Sequence, residues 1–222
     1  MEYLYKLENI SLNYYSRENN IKILRNINFE IKKRERVAIV GESGSGKTSL
    51  LMLMSGLEKP TNGSIFFGNN DLSKISEKEK TEIRKKKIGL IFQQFYLIPN
   101  FTALENVMFP MQINKITDEK KKASSLLYDI GLSQRQNNLP SELSGGEQQR
   151  VAIARAISFG PEIILADEPT GNLDKKNTDL VSDLLLDYSN TKKIGLVLVT
   201  HDIELAKKCD RIIEIFDGKI KV

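Results

Sequence analysis

Between positions 41 and 48 the chain reads Gly41-Glu42-Ser43-Gly44-Ser45-Gly46-Lys47-Thr48, a G-x-x-x-x-G-K-[ST] spacing that suits a phosphate-binding loop. Glycines let the backbone turn its N–H groups inward around phosphate oxygens, and a helix that follows adds the partial positive charge of its amino terminus. Lys47 is long enough to reach terminal phosphates, Thr48 offers a hydroxyl to Mg2+, and Ser49 comes next. Asp167 and Glu168 stand side by side at the end of an apolar run. Alone they read equally well as ordinary helix-start residues. Beside a phosphate loop, Asp167 suits a magnesium shell, and Glu168, pointing elsewhere, suits acceptance of a proton from a water attacking a γ-phosphate. His201, the only histidine, follows a third apolar run and could bond that phosphate or orient Glu168.

The elements that must position these groups are legible around them. Val37–Val40, Ile163–Ala166 and Leu196–Val199 lack polar alternation, the mark of strands buried on both faces of a parallel sheet. Ligands of open α/β sheets sit at the carboxyl ends of strands, so the clusters GESGSGKT, DEPTGN and THD are expected to converge. LLMLMSGL after the glycine loop reads as a helix. So do stretches in which Leu180, Val181, Leu184, Leu185 and Tyr188, and Ala123, Leu126, Leu127 and Ile130, each share a face, with Gly131 as a stop. Leu4 to Leu12 and Ile21 to Ile31 read as antiparallel strands. From Gln93 to about Phe159 helical periodicity dominates. The expected architecture is an α/β core of residues 1–92 and 160–222, with a β subdomain, split by a helical subdomain at 93–159.

Composition narrows the classes further. One cysteine, Cys209, and one histidine exclude an internal disulfide, a structural zinc cluster and a Cys-His catalytic pair, and fit a reducing setting. The amino terminus has no signal-peptide layout, and the longest uncharged stretch, Ile88 to Leu104, contains Gln93, Gln94, Pro99 and Asn100 and is no membrane span. The net charge of +4 lies wholly in Lys74 to Lys87, with seven basic and three acidic residues; the other 26 basic and 26 acidic residues balance. No distributed basic surface tracks a nucleic acid. That segment reads as a solvated helix face, or as a contact for acidic lipid headgroups or a partner.

Leu143-Ser144-Gly145-Gly146-Glu147-Gln148-Gln149-Arg150 is very similar to the signature motif of the ATP-binding cassette (ABC) ATPases. The family's other motifs follow in order: GESGSGKT as Walker A, Gln93 after Phe92 as the Q-loop, IILADE ending at Glu168 as Walker B, Gly171-Asn172-Leu173-Asp174 as the D-loop, and His201 as the switch histidine. The resemblance covers essentially the whole chain and implies a RecA-like P-loop NTPase core. Tyr14 resembles the aromatic that stacks on adenine in this family, although Tyr15 is adjacent and a surface tyrosine is the plain alternative.

The resemblance also implies ATP and Mg2+ as ligands and a head-to-tail homodimer, in which Walker A of one chain and Ser144, Gly145, Gly146 and Glu147 of the other enclose the nucleotide. Ser144-Gly145-Gly146 before a helical stretch is a second amino terminus able to approach a phosphate closely. Glu168 would be the general base, Gln93 a magnesium and water sensor, and Asp174 a contact across the dimer. ADEPTGNLD and FQQFYLIPNFTALENV most resemble ATPases serving lipoprotein-releasing, macrolide-export and cell-division membrane proteins. Such subunits are peripheral, at the cytoplasmic face of the inner membrane, and dock on a permease near Gln93 and the helical subdomain. Rivals fit less well. An ABC-type ATPase acting on DNA or ribosomes usually has a long coiled coil or two cassettes; a small-solute importer subunit differs around the D-loop; Asn114-Lys115-Ile116-Thr117 lacks the aspartate of a GTPase; and Glu168 argues against a regulator without turnover. Arg34 stands where relatives usually have glycine, a strained choice if that turn needs positive φ.

Overall fold

The computed structural model describes residues 3–15 and 20–221. In chain order the elements are β1 (Tyr3–Tyr15), β2 (Asn20–Lys32), β3 (Arg36–Val40), α1 (Lys47–Met54), β4 (Asn62–Phe67), β5 (Asn70–Asp71), α2 (Glu77–Lys87), β6 (Ile88–Ile91), α3 (Ala103–Ile113), α4 (Glu119–Asp129), α5 (Gly145–Ile157), β7 (Ile163–Asp167), α6 (Lys175–Lys192), β8 (Gly195–Val199), α7 (Ile203–Ala206), β9 (Arg211–Phe216) and β10 (Lys219–Ile220). They fall into two compact units, Met1–Arg84 with Gly195–Val222, and Lys85–Ile194.

The first unit holds two sheets. One is antiparallel, in the order β2-β1-β4-β5. Leu4, Tyr5, Leu7, Ile10 and Leu12 of β1 are buried, and the breaks in strict alternation coincide with register shifts against β2, which let both long strands keep their apolar side chains inward. The Tyr5 hydroxyl donates to the carbonyl of Met54 at 2.8 Å, tying this sheet to the end of α1. In the other sheet β10, β9, β3 and β8 run in that order, with β3 parallel to both β8 and β9. Val37, Ala38, Ile39, Leu196, Val197 and Leu198 are wholly buried, as the unbroken apolar runs require.

The second unit pairs β6 with β7 in parallel, Ile88 opposite Ile163 through Ile91 opposite Ala166. A Cβ on Gly89 would lie 2.6 Å from the carbonyl oxygen of Ala156, so only glycine in β6 allows α5 to pack so closely. Thr102 and Glu105 form a capping box at the start of α3. Leu104, Val107 and Met111 of α3 pack with Ala123 and Leu127 of α4 and with Val151 and Ala154 of α5. Gly131 (φ 72°) ends α4 as its sequence position suggests.

Several expectations are corrected. The two amino-terminal strands are longer than Leu4–Leu12 and Ile21–Ile31. On α6 the buried stripe is Val181, Ser182, Leu185, Leu186 and Ser189; Leu180 is half-exposed, because the row 180-184-188 runs along the edge of the buried face. Most of α2 is exposed, but Lys80 is buried and donates to Glu77 at 2.7 Å.

Candidate functional site

In the first unit the glycine loop leaves β3 and enters α1, with Gly46 (φ 102°) at the helix N-cap and no side chain capping it. Helix first-turn N–H groups lack internal partners, so this end is disposed to receive an anion. Two glycines are required by contact: a Cβ on Gly41 would sit 2.2 Å from the Ile215 carbonyl oxygen, and one on Gly46 would sit 2.8 Å from the Leu24 side chain. Around Gly44 no atom of the described residues lies within 4 Å of that position. Lys47 is buried, and its Nζ donates to the carbonyls of Gly41 and Glu42, 2.8 Å each, which aims the cation along the loop. The Ser45 hydroxyl is buried with no hydrogen-bond partner among the described residues, a further donor that phosphate oxygens would satisfy. A cavity of about 230 Å³ is lined by Glu42, Ser43, Gly44, Ser45, Phe216 and Asp217. Arg25 offsets its acidic wall by donating to both carboxylate oxygens of Asp217, at 2.9 and 3.1 Å.

Adjacent to this loop, the backbone N–H of Thr200 donates to Ile39 at 3.1 Å, so the tips of β3 and β8 lie side by side and His201 leaves from the second of them. Asp202, next to the histidine, caps α7 by accepting from Leu205 N. Thr48 and Ser49 lie in the first turn of α1. The Tyr14 hydroxyl donates to Glu58 Oε2 at 2.8 Å, and partial burial followed by that bond raises its pKa. The side chain of Tyr15, the alternative adenine contact, lies outside the described residues.

The second unit carries the other candidates. Asp167 ends β7 and is buried; Glu168 follows in the left-handed region at φ 45°. A non-glycine residue held there costs about 1–2 kcal/mol, strain of the sort concentrated at working sites. Gln93 Nε2 donates to Asn172 Oδ1 at 3.1 Å, and Asn172 Nδ2 donates back to the main-chain oxygen of Gln93 at 3.2 Å.

Ser144 caps α5: its hydroxyl accepts from Glu147 N, while the Glu147 carboxylate accepts from Ser144 N at 2.8 Å. That backbone bond, with the Ser144 hydroxyl and Arg135, holds the Glu147 carboxyl below the usual range. Glu147 is thus a capping residue; Gly145 is partly exposed at this end of the helix, whereas Gly146 is buried. Asp174 caps α6 by accepting from Asn177 N at 2.9 Å, and Asn177 also accepts from Arg150 Nη1 at 3.2 Å. Farther along α5, Arg155 donates to the carbonyls of Phe95 and Tyr96, pinning the segment that follows Gln93. Asn172, Asn177 and Arg155 escape sequence reasoning, since no spacing pairs them with partners 79, 27 and 59 or 60 residues away.

A strand, a glycine cradle, a buried lysine and an uncapped helix end together define a P-loop nucleotide-binding protein of mixed α/β fold. The family model described as ABC transporter matches residues 24–171, and the chain belongs to that family, as an ATP-binding subunit and ATP hydrolase. It is 43% identical over 209 residues to the lipoprotein-releasing system ATP-binding protein LolD of Legionella pneumophila (strain Paris), covering 93% of this chain and 92% of that one. The ATP-binding cassette MJ0796, solved as a dimer in a post-hydrolysis state bound to ADP and Pi, superposes with a TM-score of 0.91 at 42% identity, covering 98% of this chain and 97% of that one. CbiO1 of Clostridium perfringens, part of the ABC transporter complex cbiONQ, superposes at 0.86 with 28% identity, over 100% and 88% of the two chains. Among the described residues no helix is long and apolar enough to cross a membrane.

Proposed function

We propose that the chain works as a head-to-tail homodimer that closes on two ATP molecules and drives a separate membrane permease, in the manner of a lipoprotein-releasing system. The observation that carries the reading is that one chain has two phosphate-ready helix ends, at Gly46-Lys47 and at Ser144-Gly145-Gly146. A second copy supplies the second end to each nucleotide. The dimeric cassette at 42% identity supports this, and the 43% identical LolD supports lipoprotein release over other cargo.

In this reading Tyr14 stacks on adenine and Gly41, Glu42, Ser43, Gly44, Ser45, Gly46, Lys47, Thr48 and Ser49 enclose the phosphates. Glu168 accepts the proton of the attacking water as its oxygen bonds to the γ-phosphorus and the bond to ADP breaks. His201 holds the γ-phosphate, and Asp174 meets the opposite chain. Thr48, Asp167 and Gln93 offer a hydroxyl, a carboxylate and an amide oxygen, a hard donor set that fits Mg2+ on nucleotide phosphates. The ion would neutralise phosphate charge. The permease docks near Gln93 and the helices of the second unit, holding the subunit at the cytoplasmic face of the membrane.

The test is Glu168→Gln. It should abolish turnover and give a dimer in size-exclusion chromatography only when ATP is present; a variant that still hydrolyses ATP, or stays monomeric with it, removes the mechanism. Membranes should retain the protein only while they contain the permease.

A further inference from the structure

Gln93 and Asn172 form a closed two-bond ring across 79 residues of sequence. The polarity of that ring is fixed from one side. The main-chain oxygen of Gln93 can only accept, so Asn172 must turn its Nδ2 toward it. Asn172 Oδ1 is then the atom that faces the Gln93 side chain, and only the Nε2 end of that amide can donate to it. The Oε1 end of Gln93 is left turned away from Asn172. Gly171 makes room for the contact, because a Cβ there would stand 2.9 Å from Gln93 Nε2 and 3.2 Å from its Cδ.

We propose that Asn172 is a positioning residue that sets which end of the Gln93 amide is presented: the oxygen, which a magnesium ion or a water proton can use, and not the NH2, which a cation repels. The proposal rests on the reading of Gln93 as the magnesium-sensing glutamine. It makes the D-loop responsible for the chemistry of the Q-loop within one chain, so that a shift of Asn172 would release the amide to flip.

The test uses the full chain in a Glu168→Gln background and compares the Kd of ATP by titration calorimetry with Mg2+ and with EDTA. Asn172→Ala should cut the magnesium-dependent tightening about three- to tenfold while the EDTA value stays within twofold. Asn172→Asp, whose carboxylate still accepts from Gln93 Nε2, should keep most of the tightening. Gln93→Ala should lose the tightening, and adding Asn172→Ala to it should change nothing more. If Gln93→Ala loses the tightening and Asn172→Ala keeps it, the positioning role is overturned and the reading of Gln93 stands. If Gln93→Ala keeps it, that reading fails and the proposal with it. Equal weakening by Asn172→Ala with and without Mg2+ would mark a merely structural residue and also overturn it. A readout independent of nucleotide is the Gln93 side-chain NH2 resonance, identified by its loss in Gln93→Ala. It should move in Asn172→Ala, and an unmoved signal refutes the hydrogen bond on which everything rests.

Discussion

A Cβ placed on Gly146 would lie 2.2 Å from Oδ1 of Asn177, and Asn177 has nowhere to go. Its Nδ2 donates to Asp174 at 2.7 Å, its backbone N–H donates to the same carboxylate, and Arg150 donates to its Oδ1. The second glycine of the signature is therefore a packing requirement between α5 and the start of α6, apart from any approach to phosphate. Gly146→Ala should destabilise the fold by about 1–3 kcal/mol through overpacking. In the double variant with Asn177→Ala the loss should be smaller than the sum of the two singles, because the two shortest contacts, with Oδ1 and Cγ, are removed and only the Cβ at 3.0 Å remains. Thermal unfolding of the four proteins decides it, and strictly additive losses would remove the explanation.

The Arg25–Asp217 pair flanks the phosphate loop, so the charge it neutralises matters to an anionic ligand. Arg25→Ala should weaken ATP binding about three- to tenfold at low salt and less at high salt, where screening is stronger. Adding Asp217→Asn should restore the affinity. Calorimetry at two ionic strengths checks this; a loss that persists in the double variant would mean that Arg25 acts by some other route.

Arg34 has φ 66° in the turn between β2 and β3, the strained conformation that an arginine there would suffer if the turn needed it. Arg34→Gly should remove about 1–2 kcal/mol of strain and lose some of that through the greater freedom of glycine in the unfolded chain. The net expectation is a gain of about 0.5–1 kcal/mol, seen as a rise of roughly 1–4 °C in Tm for a chain of this size. A lower Tm would show that the arginine side chain contributes more than its backbone costs.

Cys209 packs beside Ala38, Val40 and Ala206, and burial pushes its thiol up to about 11. The thiolate is the reactive form, so alkylation at pH 7 should run about two orders of magnitude slower than for an ordinary exposed thiol and climb steeply between pH 9 and 11. Iodoacetamide labelling followed by mass spectrometry measures this. Rapid labelling of the native protein at neutral pH would contradict the burial.

Where chain-local patterns carry the structure, the residues announce it. Val37–Val40 followed by the glycine loop gave β3, the loop and α1 in register, and Ser144 to Glu147 announced the start of α5. Other elements stayed hidden for physical reasons. β6 is four residues long with a glycine in it, and the reason for that glycine is the Ala156 carbonyl, 67 residues on. β9 begins with an exposed arginine and β10 is two residues long, so neither shows a pattern. Tyr14 and Asp174 are readable as motif positions, yet their bonds to Glu58 and Asn177 are not, because polar partners carry no periodicity. The same holds for Asn172, a loop residue whose meaning appears only once Gln93 is beside it.

The thirteen residues of α5 have one further consequence. Ser144 stands at one end of this helix, and Arg155, ten residues after Gly145, grips the backbone after Gln93 near the other, about 15 Å away at 1.5 Å per residue. A rod clamped at one end to the Phe95-Tyr96 loop cannot be tilted at the other without dragging that loop. Ser144 and the Phe95-Tyr96 backbone are thereby tied to one rigid element, so a displacement of either end is carried to the other.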